Sequence, residues 1–514
     1  MGLARLRDLD LTEYHRRRDV AHQPFRSACY APFVGMSFDM NGSVSVCAFT
    51  RTTPLGQVGS TPLLDMWRGS AVAALRDAVV RDDLAYACTR CAEEIAGGNV
   101  SGSLAAGFDQ FPAARVPEWP TRMEFALTNQ CNLQCVMCAG EFSSSIRSRR
   151  EGLPVLPQRY DAAFIEELTP FLVHLDQARF LGGEPFLADI NFRIWERMIE
   201  VGATAECNVT TNGTQWTPRI ERVLEALPFS IGVSVDGFRP ETVESIRSGV
   251  DHGRLLENLG RFVEYRDRSG SSLSLTYCLM VPNADEFVDF LVFADGLDCD
   301  VFVNTVRQPP ELSPYLLGVD ELAALVGRLE RQRASVGARL GRNAGVLDGQ
   351  LERLAAHLDG LRDGDPELIG GAVRTRRSVD LLDRLPGPEV PESELVERIR
   401  ELSVDGVVDV VRADEEDCIV EGRRYAGLDL SDWTGAPAST IHPTLAGELG
   451  LRVDVLASRS GGGSVARVLA FADPGASPTV VLAITQRGPS PWSTTRYAAV
   501  LERGAPLETS VTLG

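Results

Sequence analysis

The chain contains no lysine; all 51 of its basic side chains are arginine. This absence rules out a lysine Schiff base and, with it, ordinary pyridoxal phosphate anchoring. It equally rules out a Walker-type phosphate loop, which needs its lysine. The arginine bias itself reads as GC-rich coding. A positive balance is lacking too: 71 acidic residues give a formal charge of -20. Such a charge repels phosphate backbones and anionic lipid heads, so neither nucleic acid nor a membrane is an expected partner. No apolar run is long enough to span a bilayer. The opening stretch MGLARLRDLDLTEYHRRR lacks the apolar segment of a secretory signal. A cytoplasmic location is expected. At 514 residues the chain exceeds what one core usually organises, so two to four domains are expected.

There are 11 cysteines. In a reducing compartment grouped cysteines point to metal or redox chemistry rather than to disulfides. Cys29, Cys47, Cys88, Cys91, Cys131, Cys135 and Cys138 are grouped. Cys207, Cys278, Cys299 and Cys418 are scattered, mostly in apolar strand-like contexts, and read as small buried hydrophobes.

Residues 1–107 begin with strand-like runs. FVGMSFD and SVSVCAF flank Met40-Asn41-Gly42, which reads as a hairpin turn, and LLDMWRGSAVAALRDAVV follows with helical spacing. Residues 108–121 are Pro-punctuated and read as a linker. Over 122–310 six strand-like segments alternate with amphipathic helical patterns: MEFALT, ARFLGG, CNVTTN, SIGVSVD, LSLTYCLMV and DVFVNTV. That alternation implies an α/β fold with a parallel sheet. Six units are too few for a closed eight-stranded barrel, so a partial (βα)6 barrel is expected. Residues 311–363 read as helical, 364–392 as a second linker, and 393–514 as a small α+β domain.

The strongest motif is Cys131-Asn132-Leu133-Gln134-Cys135-Val136-Met137-Cys138. It follows the first strand of the βα series, at the strand end where loops converge and chemistry collects. Three thiolates at this spacing can hold three irons of a [4Fe–4S] cube and leave the fourth open. Zinc would want a fourth ligand, and none follows nearby. Gly182-Gly183-Glu184-Pro185, Thr210-Thr211-Asn212-Gly213 and Ser234-Val235-Asp236-Gly237 close the next three strands. Each alone would be an ordinary strand-to-turn junction.

Together, residues 122–308 resemble the radical S-adenosylmethionine (SAM) core, whose hallmark is the C-x3-C-x2-C loop after strand one. The resemblance implies a [4Fe–4S] cluster on Cys131, Cys135 and Cys138, with SAM chelating the open iron. It implies that Gly182, Gly183, Glu184 and Pro185 meet the amino group of SAM. Thr210 and Asn212 would stand near the cofactor, and Ser234 and Asp236 would face its ribose or the substrate. Arg247 would neutralise the SAM carboxylate, which an arginine fork suits, and Asn304 would reach the adenine. Met137 stands where many relatives carry an aromatic residue that packs on SAM; its polarizable side chain can serve there. Reductive cleavage of SAM to a 5′-deoxyadenosyl radical and hydrogen abstraction from a C–H bond would follow. A flavodoxin- or ferredoxin-type reductant would supply the electron.

Upstream, Cys29-x12-Gly42-x4-Cys47 spans the hairpin, and Cys88-Thr89-Arg90-Cys91 follows the helix. Four thiolates from two distant pairs suit a structural zinc or a fully ligated [4Fe–4S] cluster; spacing alone leaves both open. About residues 24–95 resemble the SPASM/Twitch auxiliary-cluster module, closer to the shorter Twitch form. That resemblance implies a second cluster on these four cysteines. In most relatives the module follows the barrel, whereas here it precedes it. The run Val407–Gly427 with the later strands resembles a PAS-type module. Three functions follow as expectations: radical SAM modification of a peptide or protein; the same chemistry, as a dehydrogenase or epimerase, on a small metabolite such as an amino sugar; and a non-catalytic iron–sulfur carrier or redox sensor.

Overall fold

The structure, a computed structural model, describes residues 9–50, 53–84, 86–96, 103–385, 391–404, 406–413, 424–425, 428–429, 452–461, 464–472, 479–487 and 494–502. One nine-stranded sheet organises the first two thirds. Its strands are β1 (Gly35–Phe38), β2 (Ser43–Ser45), β3 (Gly56–Gln57), β4 (Arg122–Phe125), β5 (Gln177–Phe180), β6 (Glu206–Thr211), β7 (Phe229–Ser234), β8 (Leu273–Leu279) and β9 (Asp300–Thr305). The spatial order is β3-β2-β1-β4-β5-β6-β7-β8-β9. β4 to β9 run parallel in chain order, with helices on every crossover. This is the α/β pattern that the alternation of strand-like and helical segments implies. The edges β3 and β9 do not pair, so the sheet stays open.

Side-chain alternation separates two faces. On β7 and β8 the large residues Phe229, Ile231, Val233, Leu273, Leu275, Tyr277 and Leu279 are buried. The alternate positions Ser230, Gly232, Ser234, Ser274 and Thr276 are half-buried. One face is therefore the hydrophobic core, and the other is a wall of small polar side chains. The crossover helices start on side-chain caps: Asp161, Thr217 and Asp251 accept from the amides of Phe164, Ile220 and Arg254. Each such cap contributes about 1 kcal/mol.

Three of the expected boundaries are crossed by packing. Within residues 1–107, β1 pairs in parallel with β4 and extends the same sheet. Phe38 stacks on Phe125 and Phe125 on Phe180, with centroids 5.4 and 5.0 Å apart, across three neighbouring strands. One core holds Tyr14 and Trp67 together with Trp195 and Tyr277. Hydrophobic pattern marks a strand but does not name its partner. Residues 108–121 are packed rather than free: Asp109 ion-pairs with buried Arg18, and Trp119 stacks on His174 at 4.5 Å. Residues 364–392 are mostly the helix Pro366–Arg384. Its proline stands at the first helical position, where a missing N–H costs nothing.

Helices Val319–Val336 and Ala344–Arg362 bury Leu322, Leu325, Leu329, Leu347, Leu354 and Leu358 in the main core. A second, antiparallel sheet follows, in the order β10 (Asp409–Ala413), β16 (Thr494–Glu502), β15 (Thr479–Arg487), β14 (Ser464–Ala472), β13 (Arg452–Gly461); β11 (Arg424–Tyr425) and β12 (Leu428–Asp429) form a separate two-residue ladder. Leu382, Leu385, Leu395 and Ile399 from the helices pack on Val468, Leu482, Ile484 and Tyr497 of the sheet. Most of the PAS-like run, and Cys418, lie outside the described residues. No described helix is long and apolar enough to cross a membrane.

Candidate functional site

Cys131 to Cys138 form the loop after β4, at the C-terminal end of the parallel strands. Backbone and side chains hold it from both sides. The amides of Gln134 and Val136 donate to the carbonyls of Ser248 and Ile246 at 2.8 and 2.9 Å. Ser143 Oγ donates to Leu133 O at 2.7 Å, and Asn129 Nδ2 to Gly140 O at 2.8 Å. Arg150 spreads its guanidinium over the carbonyls of Cys138 and Cys135, at 2.5 and 3.5 Å. The three thiols keep part of their surface. Asn212 Nδ2 donates to Cys131 Sγ at 3.8 Å, and Arg247 Nη1 to Cys135 Sγ at 4.0 Å.

Burial pushes all three thiols up, Cys138 to about 12, with Cys135 and Cys131 adding to the effect there. Three facing thiolates need positive charge between them, which iron supplies. Among the described residues no group of three His, Cys, Asp or Glu is set to hold a single metal ion. Soft thiolate ligands of this kind suit an iron–sulfur cluster.

The other motif residues gather around this loop, several in roles the motifs do not reveal. Gly182 and Gly183 have φ of +77° and +50°. A Cβ on Gly183 would lie 2.4 Å from Gln130 O, so this glycine lets the turn press against the start of the cysteine loop. Glu184, expected to meet the SAM ammonium, is fully buried. Its oxygens accept from Phe186 N, Thr211 Oγ1 and Asn212 N at 3.0, 2.7 and 2.6 Å. The Thr-Asn strand end supplies those donors, and no local pattern announced that match. Burial raises the Glu184 carboxyl, while these bonds to Asn212, Thr211 and Phe186 lower it. Pro185 opens a buried 3-10 turn.

Asp236, expected to face the SAM ribose or the substrate, and Arg247, expected to neutralise the SAM carboxylate, ion-pair at 2.6 Å, both buried. Asp236 Oδ1 also accepts from Cys278 N at 2.5 Å. Arg247 Nε is buried without a hydrogen-bond partner among the described residues. Met137 packs beside Ile246, Met280, Val306 and Cys278. Thr210 and Ser234 stand half-buried at the C-terminal ends of β6 and β7. Asn304 is exposed on β9, opposite Cys278.

Residues that motif reading missed include Arg150, Asn283 and Cys278. Arg150 sits in a run of arginines that reads as a solvated face. Asn283 Nδ2 bridges the carbonyls of Asp236 and Cys278 at 2.9 and 3.0 Å. For Cys278 a signal existed: it shares its strand face with Ser274 and Thr276, not with the buried leucines.

The second cysteine set also converges. Cys29, Cys47 and Cys91 are buried and Cys88 is partly so. Burial drives the Cys88 thiol up, and Cys29, Cys47 and Cys91 each add to it. Cys91 is pushed up to about 12 by burial and by Cys47. The hairpin turn that brings Cys47 back is fixed by Asp39 Oδ1, which accepts from Asn41 N and Ser43 N, and by Gly42 at φ +87°. Four thiolates fit a coordinatively full centre.

Comparison with known proteins bears on these two sites. A family model described as the radical SAM superfamily matches residues 125–294, and one described as an iron–sulfur cluster-binding domain, SPASM, matches residues 29–92. Among curated proteins, the GTP 3′,8-cyclase of Limosilactobacillus fermentum is 26% identical over 35% of this chain and 52% of its own length. The chain thus spans about half the length of the curated relatives it matches. Among solved structures, Streptococcus suis SuiB bound to the precursor peptide SuiA aligns at TM-score 0.30 and 12% identity, covering 48% of this chain and 60% of that one. Native anSMEcpe with bound AdoMet aligns at TM-score 0.32 and 16% identity, covering 41% and 59%.

Proposed function

Because the chain is a radical SAM enzyme with an N-terminal SPASM-type iron–sulfur domain, we propose that Cys131, Cys135 and Cys138 hold its SAM-binding [4Fe–4S] cluster, that Cys29, Cys47, Cys88 and Cys91 hold an auxiliary cluster, and that the enzyme modifies a peptide or protein at a C–H bond. When bound, the reduced cluster and SAM supply a 5′-deoxyadenosyl radical, which takes a hydrogen atom from the substrate. Asn212 and Arg247 direct N–H groups at the sulfurs of Cys131 and Cys135 and so stabilise charge on them. The partnerless N–H of Arg247 suits the SAM carboxylate. Met137 offers an apolar surface to the cofactor. Glu184 and the two glycines act one step back, setting the distance between the second strand's turn and the cysteine loop. Ser234, Ser274 and Thr276 line the wall on which a substrate would be oriented, and shielding from water at that wall would limit stray quenching. A flavodoxin- or ferredoxin-type protein would be the reductant.

The observation that carries this reading is the three-cysteine loop at the C-terminal ends of the parallel strands, held there by its backbone bonds to Ser248 and Ile246. The small-metabolite reading remains as an alternative, since the curated relatives named GTP 3′,8-cyclase act on a nucleotide by their name. The carrier reading is set aside, because a carrier has no use for an organised cofactor wall. The test is anaerobic incubation of reconstituted protein with SAM and dithionite. 5′-Deoxyadenosine should form and should disappear in Cys135→Ala; an intact, reducible cluster that yields no nucleoside would refute the proposal. Deuterium transfer from a labelled precursor peptide into that product would separate peptide from metabolite.

A further inference from the structure

Arg122 and Glu124 are buried charges that no step above uses; they are 8% and 4% exposed. Strand register places them beside the auxiliary cysteines. Gly35 on β1 is opposite Arg122 on β4, and Ser37 is opposite Glu124. Ser37 is also opposite Ser45 on β2, two residues before Cys47. One cross-strand row therefore reads Ser45, Ser37, Glu124, Arg179, and on the adjacent row Gly35 pairs with Arg122. Residues directly opposed share a face.

Gly35, opposite Arg122, has no side chain. A Cβ on Gly35 would meet Val46 O at 2.7 Å and Phe108 Cε1 at 3.3 Å. The Arg122 guanidinium lies over that same Phe108 ring, 4.7 Å from its centroid. Two strand spacings are about 10 Å, most of which an arginine stem can span. Arg122 and Glu124 approach to 3.5 Å, and Glu124 also stands 3.5 Å from Arg179, whose side chain is 36% exposed.

We propose that Arg122 and Glu124 set the reduction potential of the auxiliary cluster in opposite senses, the guanidinium favouring the reduced form and the carboxylate opposing it. This rests on the reading that Cys29, Cys47, Cys88 and Cys91 hold that cluster. Charge near an iron–sulfur centre tunes its potential, and burial keeps solvent from screening it. Both residues are positioning residues: they touch neither substrate nor SAM.

The test uses the full chain carrying Cys135→Ala, reconstituted with iron and sulfide, so that the auxiliary centre is titrated alone by electron paramagnetic resonance. Arg122→Gln should lower the midpoint and Glu124→Gln should raise it. Each should change the reduced-to-oxidised ratio about tenfold at fixed potential, ~59 mV for one electron. Arg122→Lys keeps the charge and should stay near the parent. Shifts of the same sign, or no shift in Glu124→Gln, overturn the proposal. If Arg122→Gln fails to load iron, the Lys and Glu124→Gln proteins still decide the matter. A parent that binds no iron, or whose iron survives Cys47→Ala, would instead sink the cluster assignment itself.

Discussion

Cys131, Cys135 and Cys138 keep part of their surface on a loop held by polar staples, whereas Cys29, Cys47 and Cys91 are packed into the main core. The first set has three sulfurs, with an asparagine and an arginine directed at two of them. The second has four, and the Arg122–Glu124 pair on the neighbouring strand β4 is itself buried. A centre that must admit a cofactor needs a missing ligand, access and flanking donors. A centre that only holds or passes an electron can be fully ligated and shut away.

The largest test of that contrast deletes one sulfur from each set. Cys135→Ala should reduce 5′-deoxyadenosine formation to background, measured by liquid chromatography. Cys47→Ala should remove about four irons per chain yet leave SAM cleavage detectable. Equal loss of nucleoside in both proteins would mean that the sites do not divide the work. Next in size is the buried ion pair. Asp236→Asn strands Arg247 as an uncompensated charge and should cost about 3–5 kcal/mol in denaturant unfolding. The double change Asp236→Asn with Arg247→Met should recover part of it; a double variant worse than the single would refute the pairing as the cause. Gly183→Ala should cost about 1–3 kcal/mol, since its φ is +50° and its Cβ would strike Gln130 O. Gly202→Ala is the control: it has φ +68° with nothing within 4 Å, and should cost about 1 kcal/mol. The smallest effect expected is Asn212→Ala. It removes one N–H from Cys131 Sγ and should lower the potential of the first cluster while leaving the auxiliary one unmoved. An auxiliary shift of equal size would blur the two sites into one.

Much of the parallel sheet is legible in the sequence because period-two runs alternate with helical ones, and the cysteine loop announces itself by spacing. What stays hidden is who pairs with whom. Glu184 sits in a motif that suggests a ligand contact, yet its donors come from Thr211 and Asn212, one strand away. Asp236 and Arg247 look like two independent cofactor contacts, and only the turn after β7, with Asp236 at φ +65°, brings their side chains together. Pro366 and the following glycines suggest a break, but the spacing of Leu368, Val379, Leu382 and Leu385 carries a helix through. Composition is a weaker guide there than periodicity.

The parallel ladder between β1 and β4 ties an early stretch of chain to a later one. During synthesis all four auxiliary cysteines are made before Arg122. Until then the β4-facing side of β1 is a bare strand edge, the kind of surface on which nascent chains stick to one another. The N-terminal third therefore completes its ligand set well before it completes its sheet. A translational pause placed between Cys91 and Phe125 would lengthen that interval and favour insoluble product.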